Sequence, residues 1–161
     1  MPPRPKKRKT TAAATLKEVE QRCKAEGTRF TEKRKIVFSS LLESDKPLSA
    51  YELADYCREK HGQSIPAMSV YRILDFFQSQ HLVHKLNMAN KYVACAHITC
   101  DHEHGEPQFL ICSTCQRVNE ISLAKTAMNA LKRSVDEAGF QLTSSKLEVS
   151  CLCQDCASTA A

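Results

Sequence analysis

Two pairs of cysteines, each with C-x-x-C spacing, constrain the fold of this chain more than any other feature. Cys112 and Cys115 form the first pair and Cys153 and Cys156 the second, with 37 residues between the pairs. Each such turn presents two thiolates to one point, so two turns can enclose a tetrahedral zinc ion at Zn–S distances of about 2.3 Å. The spacing therefore predicts a structural zinc site, and buried or disulfide-linked cysteines are the alternative.

Length and cysteine usage limit the class of protein. A chain of 161 residues is long enough for one ordinary domain or two small ones. Nine cysteines would be compatible with a secreted disulfide protein, but their odd number and the lack of an apolar signal segment favour a reducing environment. No apolar run approaches the roughly 18 residues of a membrane span. We therefore expect a soluble cytoplasmic protein with no membrane partner.

The net charge of +5 is concentrated in the first part of the chain. Residues 1–9 carry five basic side chains and no acidic one, whereas residues 96–161 have an acidic excess. A segment so rich in proline and lysine cannot bury apolar surface, so we expect residues 1–14 to form a disordered basic tail. Such a tail could lie along nucleic-acid phosphates, act as a nuclear localisation signal in a eukaryote, or have no specific role.

Apolar residues recur with helical spacing between residues 15 and 80, which predicts four helices. Gly27 ends the first helix and Gly62 the third, while Ser49 and Glu52 have the spacing of a capping box at the start of the third. The fourth helix has an apolar stripe at i, i+3, i+4 and i+7, formed by Val70, Ile73, Leu74 and Phe77. Three other side chains of this helix lie off the stripe, namely Ser69, Tyr71 and Arg72.

Two β-prone runs, "HLVHKL" and "KYVAC", follow the fourth helix with a turn-prone stretch between them. Helices followed by a hairpin form the plan of a winged helix, in which the fourth helix enters the DNA major groove beside the wing. We predict such a DNA-binding domain for residues 15–95, with DNA contacts from Ser69, Tyr71 and Arg72. Arg72 could read a guanine or anchor a phosphate. The alternative is a helical bundle whose fourth helix merely packs.

The rest of the chain reads as a loop and a small α/β lobe. Residues 96–106 lack periodicity and contain three histidines, one cysteine and three acids, which predicts a loop or hinge. Residues 107–161 then contain a strand "PQFLIC", a helix ending at Gly139, and two further strand segments, "FQLTSS" and "KLEVSC". One helix across a short sheet leaves apolar surface uncovered, so we expect this lobe to pair with a second copy.

The string "SVYRILDFFQSQHLVHKL", followed by "YVAC", a histidine-rich loop, "FLICSTC" and a late C-x-x-C, resembles the ferric uptake regulator (Fur) family. Within that family it is most similar to the zinc uptake regulators (Zur), and the similarity runs from about residue 16 to residue 157. The resemblance implies an α+β protein with an N-terminal winged-helix domain and a small C-terminal α/β dimerisation domain that holds a structural four-cysteine zinc. It also implies a homodimeric, metal-dependent bacterial transcriptional repressor.

The resemblance further implies a second, sensory zinc at the hinge, so that residues 96–106 form a hinge and metal-binding loop. Its ligands, carried over residue by residue, are His84, Cys95, His104 and Glu120, with His102 as an alternative to His104. Two neutral imidazoles, one thiolate and one carboxylate form a tetrahedral set whose charge cancels that of Zn²⁺. A thiolate favours zinc over iron or manganese at such a site.

Some positions depart from the family pattern or fit no ligand slot. Gln116 stands where the family often has glycine, so the turn there should be less relaxed. Cys151 lies close enough to compete for the structural zinc but lacks the C-x-x-C spacing. His97 and Cys100 lie in the loop without a ligand slot, and we treat them as accessory.

We therefore expect a zinc-responsive transcriptional repressor of zinc-uptake genes that binds double-stranded operator DNA as a homodimer. It should hold two Zn²⁺ per monomer, act on no small-molecule substrate, and not be an enzyme. An iron or peroxide sensor of the same family is the nearest alternative. A thiol-disulfide enzyme that uses C-x-x-C is an alternative of another class, and a zinc-stabilised DNA-binding module without sensing is a third.

Overall fold

The computed structural model describes residues 11–98 and 106–159 of the chain. These residues form six helices and five strands, in the order α1 (Ala12–Ala25), α2 (Glu32–Glu43), α3 (Ala50–His61), α4 (Ala67–Ser79), β1 (Val83–Leu86), β2 (Lys91–Ala94), β3 (Gln108–Cys112), β4 (Val118–Ile121), α5 (Lys125–Glu137), β5 (Glu148–Cys151) and α6 (Gln154–Thr159). The expected mixture of helices and strands is confirmed. None of the helices in this part of the chain is both long and apolar enough to cross a membrane.

The ends of the first helices are set by local capping interactions and helix propensity. The Ser49 hydroxyl accepts the backbone N–H of Glu52, and the Glu52 carboxylate accepts that of Ser49, so α3 has the expected capping box. Gly62 ends α3 in the left-handed conformation, with φ of 63°. Helix α1 begins at Ala12, inside the range expected to be a tail, because the alanines after Thr11 are strong helix formers.

The N-terminal lobe has a core in which three phenylalanine rings meet. The ring centroids of Phe38 and Phe77 are 5.2 Å apart, and Phe30 lies 6.2 Å from Phe77. All four residues of the predicted apolar stripe on α4 are buried in this core, namely Val70, Ile73, Leu74 and Phe77. Cys23 and Cys57 are buried there too, as side chains of the core.

Strands β1 and β2 form an antiparallel hairpin, which we call the wing, with His84 opposite Val93. The segment before α3 joins it through two backbone hydrogen bonds between Leu48 and Tyr92, of 2.8 and 3.2 Å. Because Tyr92 is buried in the N-terminal core, the wing is fixed to the helices. Helices α1–α4 and the wing together have the winged-helix arrangement.

The C-terminal lobe contains a three-stranded sheet in the order β4-β3-β5. Strand β3 pairs antiparallel with β4 and parallel with β5. Helix α5 follows β4 but contains no buried residue, and the side chains of its apolar stripe at Leu131 and Val135 remain half-exposed. The lobe therefore leaves an apolar helix face uncovered within one chain, as the sequence led us to expect.

The prediction of a strand at "FQLTSS" is wrong, because residues 140–145 form no strand and β5 begins only at Glu148. Side chains replace a partner strand here. The Glu106 carboxylate accepts the backbone N–H of Ser145 at 2.9 Å, and the Gln108 side chain accepts the N–H of Leu147 at 2.7 Å. The backbone of this connection therefore has polar partners without joining the sheet.

A second apolar cluster joins the wing to the C-terminal sheet. Leu86 at the end of β1 is buried against Phe109 and Ile111 of β3, and Val93 and Val118 pack on the same cluster. The cluster places the wing over the sheet, and the polar sites described next lie around it.

Candidate metal centres and nucleic-acid interface

The two C-x-x-C pairs come together at one end of the C-terminal sheet. Cys112 ends β3, and the parallel pairing of β3 with β5 delivers the second pair to the same end of the sheet. The four sulfur atoms of Cys112, Cys115, Cys153 and Cys156 all lie within 4.8 Å of one another. The sulfurs of Cys115 and Cys153 are 3.7 Å apart. A tetrahedral zinc with Zn–S distances of about 2.3 Å requires a sulfur–sulfur edge of about 3.8 Å, so the cluster has the dimensions of a zinc–thiolate cage.

The local electrostatics also suit a cation. Backbone N–H groups of Cys115, Cys153 and Thr114 lower the pKa of Cys112 to about 6. Hydrogen bonds between the Cys156 thiol and the sulfurs of Cys153 and Cys115 raise the pKa of Cys156 to about 12, because they favour the protonated thiol. One thiolate is thus favoured and further deprotonation is opposed. A divalent cation among the sulfurs would remove that opposition.

The disulfide alternative does not fit these sulfurs. None of the eight cysteines among the described residues forms a disulfide, and 3.7 Å between Cys115 and Cys153 is far longer than an S–S bond of about 2.05 Å. Cys151 stands outside the cluster, and its thiol faces the carbonyl oxygen of Ile111 at 3.7 Å.

The turn that holds the first pair contains a strained residue. Gln116 has φ of 62°, in the left-handed region that favours glycine, and its N–H closes the turn by donating to the carbonyl of Cys112 at 3.0 Å. A residue with a Cβ costs about 1 kcal/mol in this conformation. The family often has glycine at this position, and the consequence of the glutamine is a side-chain-bearing residue in a left-handed conformation.

A second cluster lies where the wing meets the C-terminal sheet, and we call it the hinge cluster. It consists of His84 on β1, Cys95 immediately after β2, and Glu120 on β4, whose ligand atoms lie within 4.8 Å of one another. The His84 Nε2 atom is 4.0 Å from the Glu120 carboxylate, which is only 9% exposed. Two of the three groups belong to the wing and one to the C-terminal lobe. His104, the expected loop ligand, and His102, the alternative to it, lie outside the described residues.

His97, which matched no ligand position in the sequence pattern, also approaches this cluster. Its Nδ1 atom lies 2.9 Å from one oxygen of Glu120, while the backbone N–H of Ala96 donates to the other oxygen at 3.0 Å. The only available signal was its position two residues after Cys95. The chain segment that follows the wing therefore holds the Glu120 carboxylate from two sides.

The hinge cluster suits a metal by the chemistry of its donors. An imidazole, a thiolate and a carboxylate are all zinc ligands, and the thiolate makes the set softer than the nitrogen and oxygen sets typical of iron and manganese sites. Three donors leave one position of a tetrahedron for a fourth group.

Helix α4 presents the side chains predicted to contact DNA. Arg72 is exposed, while Ser69 and Tyr71 are half-buried beside it. The ring of Tyr71 meets Tyr51 at the start of α3 edge to face, with centroids 6.1 Å apart, and Tyr51 is 65% exposed. No sequence signal identified Tyr51, because its place beside Tyr71 depends on how α3 packs against α4. Tyr51 and Tyr71 therefore form an edge-to-face pair where the two helices meet, and Arg72 is exposed next to Tyr71 in the chain.

Comparison with known proteins identifies a matching family, related sequences and similar solved structures. The sequence pattern of the Ferric uptake regulator family matches residues 25–150 of this chain. The Zinc uptake regulation protein of Escherichia coli (strain K12) is 34% identical over 148 residues, which cover 92% of this chain and 84% of that protein.

Solved structures extend the comparison to the arrangement of the lobes. A zinc uptake regulator complexed with zinc and DNA has a TM-score of 0.78 at 30% identity, and the match covers 94% of this chain and 98% of that one. Holo XcZur has a TM-score of 0.72 at 33% identity, with 92% and 99% covered. Apo XcZur reaches only 0.51 at 35% identity, with 91% and 97% covered. On the family match and the relative's identity, this chain belongs to the ferric uptake regulator family.

Proposed function

We propose that this protein is a zinc-responsive, DNA-binding transcriptional repressor of zinc-uptake genes. The observation that carries the proposal is the meeting of His84 and Cys95 from the wing with Glu120 from the C-terminal sheet. A metal bound there is held by both lobes at once. Support comes from a relative that is a zinc uptake regulation protein and from a similar structure that contains both zinc and DNA.

Zinc would act by selecting one arrangement of the two lobes. Ligands on the wing and on the C-terminal sheet can share an ion only when the wing is docked, so zinc stabilises the docked state. To change the ratio of protein with a docked wing to protein with an undocked wing from 1:99 to 99:1, zinc must bind the docked state on the order of 10⁴-fold more tightly. The better match to holo than to apo XcZur fits a docked arrangement in this chain. DNA should in turn tighten zinc binding, because coupling between two sites is reciprocal.

The fourth ligand of the hinge site would come from the loop after the wing. We propose His104, with His102 as the alternative. His97 would then orient the Glu120 carboxylate for the metal, since it already contacts that group at 2.9 Å. With the four-cysteine site, this gives two zinc ions per monomer.

The DNA-reading surface would consist of α4, the start of α3 and the wing. Arg72 is exposed and can donate to both acceptors of a guanine or to a phosphate. Ser69 and Tyr71 flank it, and Tyr51 extends the surface towards α3. Operator DNA is therefore the proposed partner, with no small-molecule substrate, and the proposed location is the cytoplasm.

The C-terminal lobe would form the homodimer. Helix α5 has no buried residue within one chain, and three large apolar side chains that follow it in the chain are exposed, namely Phe140, Val149 and Leu152. A second copy would cover these surfaces and place two DNA-reading helices on one duplex. The four-cysteine zinc would stabilise this lobe, because the binding energy of a structural metal is also folding energy.

The alternative functions differ in which cysteines they require and in the structural setting of those cysteines. An iron or peroxide sensor would not require a thiolate at Cys95. A thiol-disulfide enzyme is favoured by one observation, the low pKa of Cys112, at about 6. Cys112, however, ends a strand and converges with three other sulfurs, whereas such enzymes place the reactive thiol at a helix N-terminus.

The function is tested by measuring zinc content and DNA binding on the same preparation. A double-stranded oligonucleotide, selected from a random pool in the presence of zinc, serves as the probe. We expect one zinc to survive mild chelation and DNA binding to follow a second, exchangeable zinc. Binding that follows ferrous iron and ignores zinc would favour the iron sensor. Binding that ignores chelators would favour a module without sensing, and reductase activity would favour the enzyme.

A further inference from the structure

A second polar contact between the lobes lies at the turn of the wing, away from the hinge cluster. Glu148, the first residue of β5, accepts the backbone N–H of Asn87 at 2.6 Å with one carboxylate oxygen. Its other oxygen accepts the N–H of Met88 at 2.8 Å. Asn87 and Met88 belong to the turn between β1 and β2, so one carboxylate of the C-terminal lobe holds the tip of the wing.

Lys146 strengthens this contact from the same segment. Its ammonium lies 3.4 Å from the Glu148 carboxylate and donates to the backbone carbonyl of Lys85 on β1. Burial of Glu148 opposes its charge, but the N–H groups of Met88 and Asn87, together with Lys146, hold the pKa of its carboxyl below the ordinary value of 4.5. Glu148 is therefore charged at neutral pH, and charge-assisted hydrogen bonds are about twice as strong as neutral ones.

The two contacts hold opposite ends of the same hairpin. His84 and Cys95 lie at its open end, and Asn87 begins its turn, three residues and about 10 Å from His84 along the strand. Between them, Leu86 is buried against Phe109. The wing can therefore dock on the C-terminal sheet through Glu148 and the apolar cluster without any contribution from the hinge metal.

We propose that Glu148 is a positioning residue that sets the zinc concentration at which the protein becomes competent to bind DNA. This proposal rests on the proposed function. The apparent dissociation constant of a ligand is its intrinsic value divided by the fraction of protein in the binding-competent state. Glu148 raises the fraction of protein whose wing is docked on the C-terminal sheet before zinc binds. The hinge site therefore binds zinc more tightly than it would if zinc alone held the wing in place.

The first test uses zinc alone as the ligand. Competition with a chromophoric chelator measures the affinity of the exchangeable site in the wild type and in Glu148→Gln, which keeps the shape but loses the charge. We expect roughly tenfold weaker zinc binding in the variant, because two charge-assisted hydrogen bonds become at best one neutral bond. The four-cysteine zinc and the oligomeric state should not change.

Glu52→Gln is the matched control. Glu52 also accepts a backbone N–H, from Ser49 at 2.7 Å, and contacts a lysine, Lys91 at 2.9 Å, but all three residues belong to the N-terminal lobe. Unchanged zinc affinity is expected from this variant, with any loss of stability confined to the N-terminal lobe. Equal weakening of zinc binding by both variants would assign the effect to general destabilisation and would overturn the role of Glu148.

The second test follows DNA binding across a zinc titration. In Glu148→Gln we expect the zinc concentration at half-maximal binding to rise roughly tenfold while binding at saturating zinc stays that of the wild type. An unchanged midpoint, in a wild type that responds to zinc, would overturn the role of Glu148 and leave the proposed function standing. A wild type whose DNA binding ignores zinc would overturn both.

Discussion

Glu120 and Glu148 flank Phe109 in one row of the C-terminal sheet, Glu120 on β4 and Glu148 on β5. Both carboxylates are nearly buried, with 9% and 7% of the side chain exposed. Each receives groups from the wing or the segment after it. Glu120 faces His84, His97 and the N–H of Ala96, while Glu148 holds the wing turn. The sheet thus presents two carboxylates to the wing. Glu120 can bind a metal together with wing residues, and Glu148 accepts backbone N–H groups of the wing turn.

Replacing Cys153 by serine should release the structural zinc. The remaining three thiolates cannot close a tetrahedral cage, and loss of the metal removes folding energy from the C-terminal lobe. We expect zinc content to fall by one per monomer and the thermal unfolding transition of the lobe to be lost.

Cys151→Ser is the control for this substitution. Cys151 faces the carbonyl of Ile111 outside the sulfur cluster, and a serine hydroxyl can donate to the same oxygen. Zinc content should stay that of the wild type. If Cys151→Ser strips this zinc while Cys153→Ser keeps it, the ligand assignment is wrong.

The charge of Glu148 predicts how stability depends on pH. Its pKa in the folded protein is below the ordinary value of 4.5, so its carboxylate contributes stability that is fully present above that value and is lost as pH falls through the folded pKa. The difference in free energy of unfolding between the wild type and Glu148→Gln should therefore be constant near neutrality and shrink below about pH 4.5. Denaturant titrations at a series of pH values measure it, and a constant difference down to pH 3 would contradict the cause given for the lowered pKa.

Arg72→Ala should weaken operator binding by about 10- to 100-fold, since a bidentate guanine contact contributes about 1–3 kcal/mol. Fluorescence anisotropy at moderate salt, with zinc content and dimer checked, gives the measurement. Arg133→Ala is a control of equal charge change. Arg133 lies on the side of α5 away from the apolar stripe at Leu131 and Val135, so this variant should bind as the wild type does. Full affinity in Arg72→Ala would count against α4 as the DNA-reading helix.

The local elements and the four-cysteine cluster could be predicted because their signals are short-range or have fixed spacing. The apolar stripe of α4 and the capping box at Ser49 depend on residues within two turns of helix. The C-x-x-C pairs limit where the strands before them can end. His84, Cys95 and Glu120 followed from the family resemblance, and the structure brings their ligand atoms together.

Contacts between distant segments had no sequence signal. Glu148 meets the wing turn across about 60 residues of chain, and neither partner belongs to a motif. The predicted strand at residues 140–145 failed for a related reason. Its β-prone residues indicated a strand, but the Glu106 and Gln108 side chains that bond the backbone of its last residue, Ser145, lie more than 30 residues away. Tertiary context decides such cases over local propensity.

Zinc-dependent DNA binding by Cys95→Ser tests the central claim most directly. A serine hydroxyl is a far poorer zinc ligand than a thiolate, so the hinge should lose its metal. Cys57→Ser, in the core of the same lobe and beside the Ser40 hydroxyl at 3.4 Å, controls for the substitution itself. Two further variants distinguish the candidate ligands of the loop. His104→Ala should weaken zinc-dependent operator binding more than His102→Ala does.

The measurement is the anisotropy of labelled operator DNA across a zinc titration. We predict that Cys95→Ser keeps its fold, its dimer and its four-cysteine zinc but shows no rise in operator binding as zinc is added, while Cys57→Ser responds like the wild type. A Cys95→Ser protein that still binds operator only when zinc is present would contradict the hinge mechanism.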